Sequence, residues 1–192
     1  VAATDADTTG EPRQNWMITG GDPAGVFAIN ATTGQITIAD NSTIDFDTAP
    51  TSYALSVTTS DGTNTSAVET VTINLTDVND IVPVIAPAQS FNIAEDIANL
   101  AVVGTVAATD ADTTGEPRQN WMITGGDPAG VFVINGATGQ ITIADNSTLD
   151  FDSAPSSYAL SVTTSDGTNT SAVETVTINL TDVNDIAPVI DP

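Results

Sequence analysis

Apolar and polar residues alternate along most of this chain, in short runs. The clearest stretch lies between residues 89 and 180. Gln89–Ala94 places Phe91 and Ile93 on one face. Ala101–Ala108 places Val102, Val106 and Ala108 together, with Gly104 between them. Asn120–Thr124 carries Trp121 and Ile123, and Val131–Asn135 turns Phe132 and Ile134 inward. Gly136–Gly139 makes a tight turn, and Gln140–Ala144 returns with Ile141 and Ile143. Tyr158–Thr164 alternates Tyr158, Leu160 and Val162, and Val173–Leu180 gives Val176, Ile178 and Leu180. A period of two predicts strands, and no stretch has helical periodicity. The intervening loops, such as Thr113–Gln119 and Gly125–Pro128, are rich in turn-forming residues. Seven strands of this kind predict an all-β, Greek-key β-sandwich. Trp121, Phe132, Phe91 and Tyr158 sit at its core positions, where large apolar side chains are buried.

The same pattern occurs twice. Shifted by 105 residues, Val1–Pro87 aligns with Val106–Pro192 without a gap. Only eight positions differ: Ala28/Val133, Ala31/Gly136, Thr32/Ala137, Ile44/Leu149, Thr48/Ser153, Thr51/Ser156, Val82/Ala187 and Ala86/Asp191. The period suits tandem sandwiches of about 100 residues. Near-copies indicate a duplicated array in which each unit performs the same mechanical or binding task. We expect one domain over residues 1–84 and another over 85–192, with a linker at about 77–87. The first unit starts at the equivalent of Val106, so it lacks counterparts of the first strand, most of the second, and Glu95. A longer array and strands supplied from elsewhere both account for this.

Composition narrows the function. The chain holds 25 Asp and Glu against two Lys and Arg, and no His or Cys. A net charge of −23 excludes electrostatic binding to nucleic acid or an anionic membrane surface. Without Cys there is no disulfide or thiolate chemistry, and without His the commonest general base is missing. No apolar run is long enough to span a membrane, so no direct membrane insertion is expected. Most of the acids are Asp, clustered at strand ends. Short carboxylates gathered in this way offer the hard oxygen ligands that Ca²⁺ takes. The densest cluster, Thr76-Asp77-Val78-Asn79-Asp80-Ile81-Val82-Pro83, recurs as Thr181-Asp182-Val183-Asn184-Asp185-Ile186-Ala187-Pro188.

These motifs resemble those of cadherin repeats, in order along the whole unit. Ala94-Glu95-Asp96 looks like the glutamate motif after the first strand, and Asp110-Ala111-Asp112 like the D-x-D motif. Leu149-Asp150-Phe151-Asp152 resembles L-D-R-E with Asp in the last place, and Ser165-Asp166-Gly167 matches the Asp after the sixth strand. Asp182-Val183-Asn184-Asp185 resembles the D-x-N-D linker. The resemblance implies Ig-like, cadherin-like sandwiches with Ca²⁺ as cofactor. At the junction it implies Asp45, Asp47, Asp77, Asn79 and Asp80 from the first unit, with Asp110, Asp112 and Asp166 from the second. Carbonyls of Val78, Ile81 and Asn120 would complete the shells. Asp5, Asp7 and Asp61 repeat the set at one end, and Glu95, Asp150, Asp152, Asp182, Asn184 and Asp185 at the other. The ion held by Asn79, Asp110, Asp112 and Asp166 depends least on the missing glutamate.

The expected function is structural. The Ala-, Thr-, Asp- and Asn-rich, Lys- and Cys-free composition looks like extender repeats of large bacterial (RTX-type) surface adhesins. Such a module would be extracellular and monomeric, would contact identical neighbouring repeats in its own chain, and would project an adhesive tip in biofilm growth. An alternative is Ca²⁺-dependent self-adhesion or carbohydrate binding, which needs an exposed aromatic platform such as Trp16 or Trp121. Enzymatic activity is not expected. Asp45 and Asp47 could mimic a glycosidase pair, but the sequence suggests no cleft beside them.

Overall fold

The structure is a computed structural model, and it describes residues 1–6, 14–48, 50–112, 119–127, 129–153 and 155–190. The chain divides into two compact units, Val1–Asp77 and Val78–Pro192. The fold is all-β, and no helix occurs among the described residues. Most of the expected linker therefore belongs to the second unit.

Among the described residues the first unit has five strands: β1 (Gln14–Gly20), β2 (Phe27–Ile29), β3 (Ile36–Ile38), β4 (Ser52–Ser60) and β5 (Glu69–Asn74). β1, β4 and β5 form one antiparallel sheet in that order, and β2 pairs with β3. Trp16, Val26, Phe27, Tyr53, Leu55 and Val57 form its buried core. Phe27 and Tyr53 meet edge to face, with ring centroids 5.0 Å apart.

The second unit has strands without counterparts among the described residues of the first. It contains β6 (Val84–Ile85), β7 (Ser90–Ala94), β8 (Val102–Thr105), β9 (Ala108–Thr109), β10 (Gln119–Gly125), β11 (Phe132–Ile134), β12 (Gln140–Ile143), β13 (Ser157–Ser165) and β14 (Glu174–Thr181). One sheet has the order β10-β13-β14-β7, and the other β11-β12-β8. β6 pairs with β9. The inward residues read from the alternation meet between the sheets, including Trp121, Phe132, Ile141, Ile143, Tyr158, Leu160, Val176 and Ile178. The aromatics read as core are core: Trp121, Phe132 and Tyr158 are buried, and half-buried Phe91 packs against them.

One strand reading needs correction. Ala101–Ala108 is two strands, β8 and β9, and Val102 faces solvent while Val103 packs on the core. The cause is an irregularity in the β8–β12 register between Ile141 and Thr142. A bulge shifts the alternation by one, which sends neighbouring side chains to opposite faces. Gly104 is required there: a Cβ on it would lie 2.3 Å from the Phe91 ring.

The topology sets where the acids fall. β7 runs parallel to β14, pairing Thr181 with Ala94. Both strands therefore finish at the same end, which brings Glu95 beside Asp182 and Val183. β13 runs antiparallel to β14, so it starts at that end, after Asp150 and Asp152. It finishes at the opposite end, at Ser165 and Asp166. β9 delivers Asp110 and Asp112 to that opposite end, and the β6–β9 pairing lays residues 78–83 across it.

Candidate metal centre

At the linker end of the second unit, oxygens converge on one point. Asp110, Asp112 and Asp166 each offer a carboxylate oxygen, all within 4.8 Å of one another. Asp166 is 2% exposed. Its Oδ1 accepts from Thr168 N at 2.7 Å and Asn169 N at 2.6 Å, and its Oδ2 from the Asn169 amide at 3.3 Å. Desolvation pushes the Asp166 carboxyl up, but those hydrogen bonds outweigh it and hold the group below its ordinary value. It is therefore a ready anion. The linker is fastened over it. Ile81 N donates to Asp112 Oδ2 at 3.0 Å, and the Asn169 amide donates to the Ile81 carbonyl at 3.2 Å.

Two features of this end call for a cation. Asp112 Oδ1 is buried and has no hydrogen-bond partner among the described residues. The Asn79 side-chain oxygen faces Asp166 Oδ2 at 2.9 Å and Asp112 Oδ2 at 3.0 Å. The Asn79 oxygen shares no proton with either carboxylate oxygen, which accept instead from the Asn169 amide and Ile81 N. Either the Asn79 amide turns over and donates to both carboxylates, or a positive ion lies among them. The turned amide still leaves Asp112 Oδ1 unsatisfied, and a buried unsatisfied polar atom costs about 1–3 kcal/mol. A cation satisfies every one of these oxygens. The donors are carboxylate, amide and carbonyl oxygen, the hard set that suits Ca²⁺, and they include neither nitrogen nor sulfur.

The opposite end of the same unit holds a second cluster. Glu95 is buried, and its Oε1 accepts from Val183 N at 2.7 Å while its Oε2 accepts from Phe151 N. Glu95, Asp150 and Asp152 bring carboxylate oxygens within 4.8 Å of one another. Asp150 is turned in by Asp152 N and Ser153 N, at 2.9 and 3.0 Å, and by the Ser153 hydroxyl. These bonds, the Ser153 hydroxyl first, hold its carboxyl low. Asp152 goes the other way. Desolvation first, then the charges of Asp182, Glu95, Asp185 and Asp150, push its carboxyl up. Asp182, Asn184 and Asp185 are exposed, and Asp185 N donates to the Val183 carbonyl at 2.8 Å.

In the first unit, Asp45 accepts from Asp47 N at 2.9 Å and Thr48 N at 3.2 Å, repeating the Asp150 turn. Asp61 accepts from Thr63 N and Asn64 N at 2.7 and 2.6 Å, repeating the Asp166 turn. Asp5 and Asp61 line one cavity of about 210 Å³. Asp47 and Asp77 are half-buried. Asp7 lies outside the described residues. In the second unit, Val78 and Asp80 are exposed. Asn120 sits at the bulge opening β10 with φ 57°, the conformation of Asn15 in β1.

Asn169 was missed in the sequence reading. It clamps both Asp166 and the linker carbonyl of Ile81. The signal was present in the repeated D-G-T-N, since an Asp two and three residues before backbone donors closes a local turn that leaves the fourth side chain facing inward.

Residues 89–181 match the model of the cadherin domain. The chain is 32% identical over 193 residues to protocadherin Fat 1 of Homo sapiens. It is 34% identical over 196 residues to protocadherin-like wing polarity protein stan of Drosophila melanogaster. Each match covers 98% of this chain, and 4% and 5% of those proteins respectively. Among solved structures, mouse cadherin-23 EC22–24 matches with a TM-score of 0.69 and 26% identity, over 96% of this chain and 59% of that one. The human desmocollin-1 ectodomain matches at 0.70 and 26%, over 88% and 33%. The chain carries cadherin-like repeats. It spans about a twentieth of the length of the curated relatives named here, which are animal proteins.

Proposed function

We propose that this chain is a calcium-stiffened extender segment of a larger extracellular adhesion protein. One observation carries the reading: Asp112 Oδ1 is buried with no hydrogen-bond partner among the described residues, where the carboxylates of Asp110, Asp112 and Asp166 converge. Asn79, Asp110, Asp112 and Asp166 would hold one Ca²⁺, with the Ile81 carbonyl beside them. At the other end Glu95, Asp150, Asp152, Asp182, Asn184 and Asp185 form the second ligand set. Asp45, Asp47 and Asp77 of the first unit, and Asp80 of the second, remain the other expected ligands at the linker. Bound Ca²⁺ supplies positive charge where carboxylates repel.

The chain's own residues do the rest. Ile81 and Asn169 tie residues 78–83 to the body of the second unit. A spacer lengthens by copying itself, which is what near-identity of the repeats supports. The same identity, with the absence of Lys and Cys, favours a bacterial surface adhesin of RTX type, acting in adhesion and biofilm growth. A carbohydrate platform on Trp16 or Trp121 is disfavoured because both rings are buried.

Calorimetry with Ca²⁺, with chelator, and with chelator plus high NaCl tests this. Ca²⁺ should raise the melting temperature by linkage, and NaCl should recover only part of the gain, since screening does not bridge ligands. Full recovery by NaCl alone would make these carboxylates a generic acidic surface. Asp112→Asn should remove the linker-end share of the second unit's Ca²⁺ response and leave the share of the Glu95 end. If it keeps the whole response, the ion does not sit there.

A further inference from the structure

The turn between β11 and β12 is where the two repeats differ in chemistry. Asn135-Gly136 opens it in the second unit, and Asn30-Ala31 stands at the same place in the first, between β2 and β3. The side-chain hydrogen bonding is the same in both. Asn135 Oδ1 accepts from Ala137 N at 2.9 Å and Thr138 N at 3.1 Å, and Asn30 Oδ1 accepts from Thr32 N and Thr33 N, both at 2.9 Å. Asn135 and Gly136 are exposed, as are Asn30 and Ala31. The molecule therefore carries a matched pair of amides, with a methyl group beside one and none beside the other.

Three features open the Asn135 amide to attack from within the chain. Gly136 N has no hydrogen-bond partner among the described residues, so that nitrogen is available. The two donors on Oδ1 hold the amide back over the turn. They also polarise its carbonyl, as donors aimed at a developing oxyanion do. Gly136 has no Cβ to crowd the approach, and the place a Cβ would take is open, with the Trp121 carbonyl nearest at 3.8 Å.

We propose that Asn135 is a self-modification site, at which the chain converts its own amide to aspartate and isoaspartate. Gly136 N attacks Asn135 Cγ. An N–Cγ bond forms, the Cγ–Nδ2 bond breaks, and ammonia leaves with the proton of Gly136 N. Water then opens the cyclic imide. Attack at Cγ gives aspartate, and attack at the main-chain carbonyl carbon gives isoaspartate. The aspartate keeps the turn, because a carboxylate oxygen accepts the same two bonds more strongly. The isoaspartate does not, because its backbone runs through Cβ and Cγ and is one carbon longer. That lengthening falls where the Gly136 carbonyl accepts from Trp121 N at 3.0 Å, and where a Cβ on Gly139 would lie 2.9 Å from the Trp121 ring. A displaced turn loosens the core around Trp121. The Gly or Ala at this position thus sets which repeats of an array age.

Incubation of the full chain in warm, mildly alkaline buffer, followed by peptide mapping, tests it. Cleavage after Arg13 and Arg118 puts Asn30 and Asn135 on separate peptides. The Asn135 peptide should gain the mass of amide-to-acid exchange at that residue and split into two isomers, while Asn30 stays an amide over the same time. Gly136→Ala, which restores the first unit's pair, should slow the change several-fold. In calorimetry the isoaspartyl form, separated by ion exchange, should melt below the starting chain. Asn135→Asp, equivalent to the aspartate product, should melt with the starting chain. An Asn135 that reacts no faster than Asn30 overturns the proposal, and so does a rate unchanged by Gly136→Ala. An isoaspartyl form that melts like the starting chain overturns the loosening of the core.

Discussion

The two units have nearly one sequence and two different interiors. Ile38 is 53% exposed, and its counterpart Ile143 is fully buried. Ile36, Val71, Ile73 and Leu75 are half-buried, whereas Ile141, Val176, Ile178 and Leu180 are buried. Yet Leu55 and Leu160 are equally enclosed, as are Tyr53 and Tyr158. These apolar residues lie on strands that border β7 and β8 in the second unit, and the described residues of the first unit hold no counterpart of either. A strand's burial pattern is therefore a property of its neighbours as well as of its own alternation. β4 carries enough apolar surface to gather a core alone, but β3 and β5 need covering.

The largest expected contrast is between Ile143→Ala and Ile38→Ala. The first opens a cavity in a closed core and should cost about 2–5 kcal/mol. The second changes a half-open surface and should stay within about 0.5 kcal/mol. Equal losses in denaturant titrations would show the first unit to be closed in solution. Next, joining a copy of residues 84–105 ahead of Val1 should cover β3 and β5. A net gain of about 2 kcal/mol would raise that unit's Tm by roughly 10 °C, and no rise would mean the strands do not seat there.

Calcium should separate the units less. Only the second unit has the linker laid over its Asp110–Asp166 end, so chelator should lower its transition further. At tenfold above Kd one site contributes about 1.4 kcal/mol; an equal shift in both units would place the ion elsewhere. The smallest effect should not separate them at all. Asp40 and Asp145 accept from Ser42 N and Ser147 N, at 2.8 and 2.9 Å, and these bonds hold both carboxyls low. A depressed folded-state value stabilises above the ordinary carboxylate range, and the contribution fades as pH falls through the depressed value. Asp40→Asn and Asp145→Asn should therefore flatten the acid limb of stability alike. A difference between them would mean the two turns are not equivalent.

The sandwich and its inward residues were legible because alternation reports burial directly. The acids were legible as sets because topology gathers strand ends. β6 and β9 were not, since a two-residue strand has no period to read. Val102 misled because the bulge beside it depends on a partner strand distant in sequence. The D-G-T-N turn that holds Asn169 was legible, but its bond to the Ile81 carbonyl was not, because that comes from the linker folded over it. The incomplete cover of the first unit was visible from alignment with the second.

β7 and β14 lie parallel, paired from Ser90↔Thr177 to Ala94↔Thr181. Tension along the chain draws the start of β7 toward one end of the unit and the finish of β14 toward the other. The pair is then loaded in shear, with its hydrogen bonds sharing the force instead of opening one after another like a zip. Forced unfolding is governed by the rate of crossing that barrier, so the β7–β14 patch is the force-bearing clamp of the second unit. In the first unit the corresponding strand, β5, pairs among the described strands only with β4, which runs antiparallel to it.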